Sequence, residues 1–131
     1  MIVIDASVLA NALGDDGAHG AAARAEISEA GQLVAPDLVD VETAAVLRKR
    51  WIAKHLSTER FEIAVNALIH IPVQRHPTAG LLLRVFELRD NITPYDAVYV
   101  ALAEALSVDL VTGDKKLAAA PGPRCRIRVL T

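Results

Sequence analysis

The sequence is short of four things: cysteine, aromatic rings, an excess of positive charge and long uncharged runs. A lone Cys125 in 131 residues makes no internal disulfide, so a reducing cytoplasm is the expected setting. Aromatic residues amount to 4%, too few for a base-stacking platform of the kind that holds single strands. Formal net charge is −2 and the isoelectric point about 6.1. Bulk charge therefore does not hold this chain to nucleic acid; any such contact must be local. The longest uncharged run, residues 63–74, is too short to cross a bilayer. The start has no basic stretch and meets Asp5 too early for a secretory signal. A soluble, cytoplasmic protein without a membrane segment is expected.

What is there is apolar and alternating. Hydrophobic residues make up 53% and charged residues 23%, with mean hydropathy +0.32, which excludes disorder. A chain of this length buries about two thirds of its unfolded surface and needs no staples. It is expected to form one domain, residues 1–131.

Residues 2–4 read as a short strand buried on both faces, because nothing in them alternates polar with apolar. Helices follow over 6–13 and 18–30, broken by the Gly14–Gly17 turn and ended at Gly31. Further strands are expected at 32–35, 71–74, 108–112 and 126–130. Further helices are expected to about Lys54 with Asp37 as cap, over 59–70 capped by Thr58, over 78–89, from Thr93 to about Ala105, and over 115–119. The βα rhythm implies an α/β fold: a parallel sheet of four or five strands between layers of helix, a three-layer α/β/α sandwich.

Four carboxylates stand out against this frame. Asp5 ends the first strand, where open α/β sheets place their ligands; it and Ser7 are also favoured helix caps. Glu42 has Val39, Ala45 and Val46 as helical neighbours, so it lies on an apolar side, where a carboxylate needs a partner. A distant Arg would serve; Asp40 takes the plainer place at N3. Asp96 matches a capping-box position, yet it opens a helix apolar all round and therefore buried. Asp114 follows Val111-Thr112-Gly113 and repeats the strand–turn–acid geometry of Asp5, with capping of 115–119 as its alternative.

Together these put four acids near one end of one sheet. Two unit charges 4 Å apart repel by about 1 kcal/mol in water and about 4 kcal/mol at an effective dielectric of 20. A domain's whole stability is about 5–15 kcal/mol. Such a cluster calls for protons or a cation, and oxygen-only ligands point to Mg²⁺ or Mn²⁺. His19, His55, His70 and His76 show no paired metal spacing, so zinc is not expected.

The residues around these acids carry a resemblance. Ile4-Asp5-Ala6-Ser7-Val8-Leu9, Glu42, the run from Asp96-Ala97 through Tyr99 to Ala101-Leu102-Ala103, and Leu110-Val111-Thr112-Gly113-Asp114-Lys115-Lys116-Leu117 resemble the four acidic motifs of PIN-domain ribonucleases. The short chain is similar to the VapC toxins of toxin–antitoxin pairs. The resemblance implies a Mg²⁺- or Mn²⁺-dependent endoribonuclease with sheet order 3-2-1-4-5. Asp5, Asp96 and Asp114 would hold metal directly or through water, and Glu42 would complete the shell or orient the attacking water. Ser7, Thr112 and Asn11 would orient the acids, Asn11 standing in for an Asn that many members carry beside the first acid. It also implies an RNA substrate, a cognate antitoxin and a homodimer.

Basic residues that could meet RNA phosphates are Lys115 and Lys116, tied to Asp114 by sequence. Arg48, Lys49, Arg50 and Lys54 crowd one helix end, where they also suit the helix dipole. Arg124, Arg126 and Arg128 share one face of the last strand, where they also protect an edge. Trp51 is expected in the core. Two enzyme-like alternatives lack their motifs. A receiver-type phospho-acceptor needs an adjacent acidic pair after strand one, and Asp15-Asp16 comes a helix later. A haloacid-dehalogenase-type phosphatase needs Asp-x-Asp where this chain has Asp5-Ala6-Ser7. A PIN-like fold that binds RNA or a partner without turnover is the remaining alternative.

Overall fold

The computed structural model describes residues 1–130. In chain order the elements are β1 (Ile2–Ile4), α1 (Ala6–Gly14), α2 (Ala18–Ala30), β2 (Leu33–Pro36), α3 (Val39–Ile52), α4 (Thr58–His70), β3 (Val73–His76), a 3₁₀ turn (Ala79–Leu81) running into α5 (Leu82–Glu87), α6 (Pro94–Leu106), β4 (Asp109–Thr112), α7 (Lys115–Ala119) and β5 (Ile127–Val129). The five strands form one sheet, ordered β3-β2-β1-β4-β5 and parallel throughout.

Right-handed crossovers from β1 through β2 to β3 keep their helices on one face, and the return to β4 puts α5 and α6 on the other. On the first face α1 packs against α2, α3 and α4; on the second, α6 covers β1, β2 and β4, with α5 beside it. This is the expected three-layer sandwich. Val3, Ile4, Val34, Ala35, Leu110 and Val111 are fully buried at its centre. Each large aliphatic among them contributes about 1.5–3 kcal/mol of transfer free energy. All seven residues from Ala97 to Ala103 are buried, as an apolar-all-round helix requires.

Several local expectations shift. The second strand begins one residue late, at Leu33, and the third two residues late, at Val73. Pro72 has no N–H to give the ladder, so pairing starts after it, with Val73 opposite Leu33. Asp37 does not cap α3. Its N–H donates to the His76 carbonyl at 2.8 Å, which prolongs the β2–β3 pairing, and the helix starts at Val39 behind Leu38 with no side-chain cap. Asp40 instead meets Arg75 at 2.9 Å.

The α4 cap is Ser57, whose hydroxyl accepts from the Arg60 N–H, rather than Thr58. Thr58 accepts from the Trp51 indole N–H at 3.0 Å. Trp51 is not core: it is 41% exposed, tilted against Phe61 with ring centroids 6.2 Å apart, while Leu47, one turn earlier, fills the interior. Arg124 precedes the last strand, its N–H donating to Glu104. Arg128 is tied to Asp109 at 3.0 Å and to Glu26.

One close approach fixes how α1 turns into α2. A β-carbon at Gly20 would fall 1.8 Å from the Asp15 carbonyl oxygen, whereas one at Gly80 would meet nothing within 4 Å. Gly20→Ala is expected to destabilise the fold by about 1–3 kcal/mol, with Gly80→Ala near neutral. Paired thermal melts check this, and equal midpoints for the two variants would refute it.

Candidate active site

Asp5 leaves β1 at its carboxyl end, its N–H donating to the Val111 carbonyl of β4. It is 9% exposed, and every contact it makes comes from a hydroxyl or the backbone. Oδ1 accepts from the Ser7 hydroxyl at 2.7 Å and from the Val8 N–H at 3.1 Å; Oδ2 accepts from the Thr112 hydroxyl. Asp5 is therefore the N-cap of α1, and Ser7 is not a cap. Capping and a place in the acidic cluster coincide in one side chain.

Thr112, fully buried at the end of β4, ties two of the four acids together. While its hydroxyl donates to Asp5, its oxygen accepts the Asp114 N–H at 3.0 Å. Ser7 makes a second tie, accepting the Gly113 N–H at 3.2 Å. The register behind both is the pairing of Ile4 with Val111. Asp114 is exposed and caps α7, with Oδ1 accepting from the Lys116 N–H at 2.8 Å.

Glu42 and Asp96 arrive from opposite faces of the sheet. Glu42 lies in the first turn of α3 and is half-buried. Its partner is no Arg: the Tyr99 hydroxyl of α6 donates to Oε1 at 2.6 Å. Tyr99 belongs to the same buried helix that Asp96 opens. Its signal was present, since a tyrosine inside a buried aliphatic helix needs a partner for its hydroxyl. Asp96, at the third position of α6, sits behind the Thr93 cap, whose hydroxyl accepts its N–H.

Electrostatics join the acids. Burial pushes the Asp5 carboxyl up, against the hydrogen bonds from Thr112 and Ser7. Burial also raises Glu42, reinforced by the charges of Asp96 and Asp5 and opposed by the Tyr99 hydroxyl. Asp96 is raised by burial, then by Asp114 and Asp5. Tyr99, buried and facing Glu42, is held protonated far above its ordinary range. Among the described residues no Lys or Arg lies in ion-pair contact with any of the four acids.

The donor set is all oxygen and its charge is uncompensated, which suits a hard divalent ion. Among the described residues no three His, Cys, Asp or Glu side chains close directly on one point.

Asn11 has a different partner. Its Oδ1 accepts from Arg50 Nη2 at 2.5 Å, and among the described residues it makes no hydrogen bond to the carboxylates it was expected to orient. Lys115 and Lys116 are exposed at the start of α7. Asp15 and Asp16 follow the end of α1, where Asp16 pairs with Arg60 at 3.1 Å, so they offer no phospho-acceptor pair beside Asp5.

Raised carboxyl values have a definite consequence. Between the ordinary carboxylate range near pH 4 and the raised values, the folded chain binds more protons than the unfolded one. The ion-free fold therefore loses stability as pH rises through that window. Glu42→Gln keeps an acceptor for Tyr99 and removes one charge. In chelator at pH 7 it is expected to raise the melting midpoint by about 3–5 °C, the equivalent of about 1 kcal/mol, with the gap closing toward pH 4. A lower midpoint at pH 7 would contradict the repulsion inferred here.

The PIN-domain family model matches residues 2–123. Over 129 residues the chain is 40% identical to ribonuclease VapC1 of Mycobacterium tuberculosis, covering 98% of this chain and 96% of that protein. The crystal structure of M. tuberculosis VapC20, described as a toxin that cleaves the sarcin–ricin loop, superposes with TM-score 0.71 at 18% identity. It covers 91% of this chain and 94% of its own. The VapBC2 structure from Rickettsia felis, solved with a promoter DNA fragment, gives TM-score 0.71 at 14% identity over 98% of both chains. The chain with Asp5, Glu42, Asp96 and Asp114 at the carboxyl end of its sheet belongs to the PIN-domain family.

Proposed function

We propose that the chain is a divalent-metal-dependent endoribonuclease, the toxin of a VapBC-type toxin–antitoxin pair. The observation that carries the reading is the uncompensated acid cluster at the β1–β4 junction, with Asp5 and Asp114 joined through Thr112. Its 40% identity to ribonuclease VapC1 over nearly the whole of both chains supports the substrate class.

Asp5, Asp96 and Asp114 would hold Mg²⁺ or Mn²⁺, directly or through water. The ion would lower the pKa of a bound water and offset charge on the scissile phosphate. The chain's own work is positioning. Ser7 and Thr112 fix both oxygens of Asp5. Tyr99 holds Glu42 by one oxygen and leaves the other to orient the attacking water and accept its proton. A carboxyl raised by burial is suited to that task near neutral pH. Lys115 and Lys116 contact phosphates flanking the break.

An antitoxin protein is proposed as the partner that restrains this site, as the pairing named in the R. felis structure supports. No helix among the described residues is long and apolar enough to cross a membrane, and the proposed setting is the cytoplasm. A homodimer is proposed through α5, which exposes Leu82, Leu83 and Phe86 on a short helix; Leu83 is 84% exposed. Clustered apolar groups of this kind mark contact surfaces.

The nuclease reading is tested with purified protein and total RNA. Cleavage in Mg²⁺ or Mn²⁺ is expected to vanish in excess chelator and to fall about 100-fold or more in folded Asp5→Asn and Asp96→Asn variants. Cleavage that survives chelation or either substitution would sink it. The dimer is tested separately by sedimentation. Phe86→Asp and Leu83→Asp are expected to convert it to monomer, and unchanged mass in both variants would place the contact elsewhere.

A further inference from the structure

A broad trough of about 1290 Å³ opens from the edge of the acid cluster. Ser7 and Asp114 stand at that edge; Asn11 and Gly14 continue the wall along α1. Positions 7, 11 and 14 are one helical face at i, i+4 and i+7. The trough then reaches the α3–α4 connection at His55 to Ser57. Its volume exceeds the roughly 300–1,000 Å³ of small-molecule pockets, so its shape suits a chain rather than a single small ligand.

The charges in the trough divide into spent and free. Arg60 is held by Asp16 through two hydrogen bonds. Asp15 and Asp114 accept only backbone N–H groups, from Gly17 and Lys116, and keep their negative charge, Asp114 as part of the acid cluster. Arg50 and Lys115 have no carboxylate within ion-pair distance among the described residues. Arg50 is half-buried and aimed by a neutral group, Asn11. A guanidinium held by an amide keeps its full charge and most of its donors for a ligand. No Phe, Tyr or Trp lines the trough, and its rings are the imidazoles of His19 and His55, so the free cations are its main means of holding a phosphate chain.

We propose that this trough is the track for the RNA strand on one side of the scissile bond, with Arg50, oriented by Asn11, and Lys115 as its phosphate-binding residues. The ligand's identity rests on the nuclease reading. The residues, their free charge and their place beside Asp114 do not.

The test measures binding rather than turnover. A fluorescein-labelled single-stranded RNA of mixed sequence is titrated in Mg²⁺ against the Asp96→Asn chain, with anisotropy read at several salt concentrations. Adding Arg50→Gln is expected to weaken binding on the order of 5–10-fold and to reduce the salt slope by about 0.7, the share of one single-strand phosphate contact. Lys115→Gln, exposed and free of packing, is expected to do the same. Arg50→Lys should restore the slope, and Asn11→Ala should weaken binding by less than Arg50→Gln. A melt of each variant accompanies the titration, since a merely structural Arg50 would move the midpoint and leave the slope alone. An unchanged slope in Arg50→Gln and Lys115→Gln, or no salt-dependent binding by the parent, would overturn the proposal and leave a protein segment as the trough's occupant. Strand cutting in the Asp96→Asn background would count against the acid site, not against Arg50.

Discussion

The hydrogen bond from Thr112 to Asp5 is the contact on which the site depends. It exists because β1 and β4 are neighbours in register, Ile4 beside Val111, so Asp5, just after β1, stands level with Thr112, the last residue of β4. A buried carboxylate ordinarily requires a cation or a proton. Here it receives two hydroxyls and a backbone N–H, which satisfy its lone pairs and leave its charge unspent. The same Thr112 oxygen sets the backbone of Asp114. Polar groups in a low-dielectric setting are thereby fixed before any ligand arrives, the condition under which electrostatic positioning is most effective.

Burial and repulsion then work against the fold that holds them. Asp5, Glu42 and Asp96 are all pushed up by burial, and Glu42 and Asp96 by neighbouring acids as well. The compensation lies elsewhere, in the continuous apolar centre of the sheet and in Arg ties remote from the site. Arg84 meets Glu104 at 2.7 Å with both side chains mostly buried, and Arg75 meets Asp40. Burial pushes the Glu104 carboxyl up, but the hydrogen bonds from Arg84 and the Arg124 N–H outweigh it and hold it below the usual range. Its linkage has the opposite sign to that of the site: its stabilisation is present above the ordinary carboxylate range and lost as pH falls through the depressed value.

The parts of this structure that were legible in the sequence are those set by local pattern. An uninterrupted β-branched run, an acid at its end and a helix behind it place Asp5. The same strand–Gly–acid order places Asp114, and a helix apolar on every side places Asp96 at the mouth of the core. Strand order came through the family resemblance and not from these patterns. What stayed hidden were choices made by tertiary partners. Glu42 needed a partner that the sequence did not name, with a distant Arg as the alternative to a place in the acidic site, and Tyr99 holds it from 57 residues away. Asn11 fitted the helical spacing for orienting an acid, but Arg50 captured its side chain. Asp37 has the chemistry of a cap, but its backbone continues the β2–β3 pairing to His76 and α3 begins only at Val39. Trp51 has a core residue's volume but points to Thr58 at the rim.

A chain of net charge −2 attracts a polyanion only where its cations are not already paired. Of the arginines expected to meet phosphate, Arg128 is committed to Glu26 and Asp109, and Arg126 leans toward Asp109. The Arg128 pairings tie β5 to β4 and α2 and take that cation out of the pool. Charge held in such a pair is partly neutralised before a polyanion approaches, so counting Arg along a sequence overstates the attraction. Arg50 is different because its partner is an amide. Its position, at the wall of a trough that begins at Asp114, makes attraction local where the surface as a whole is not attractive. A site built from acids would otherwise repel its own substrate. Local cations beside an acid cluster resolve that conflict without making the protein a general binder of nucleic acid.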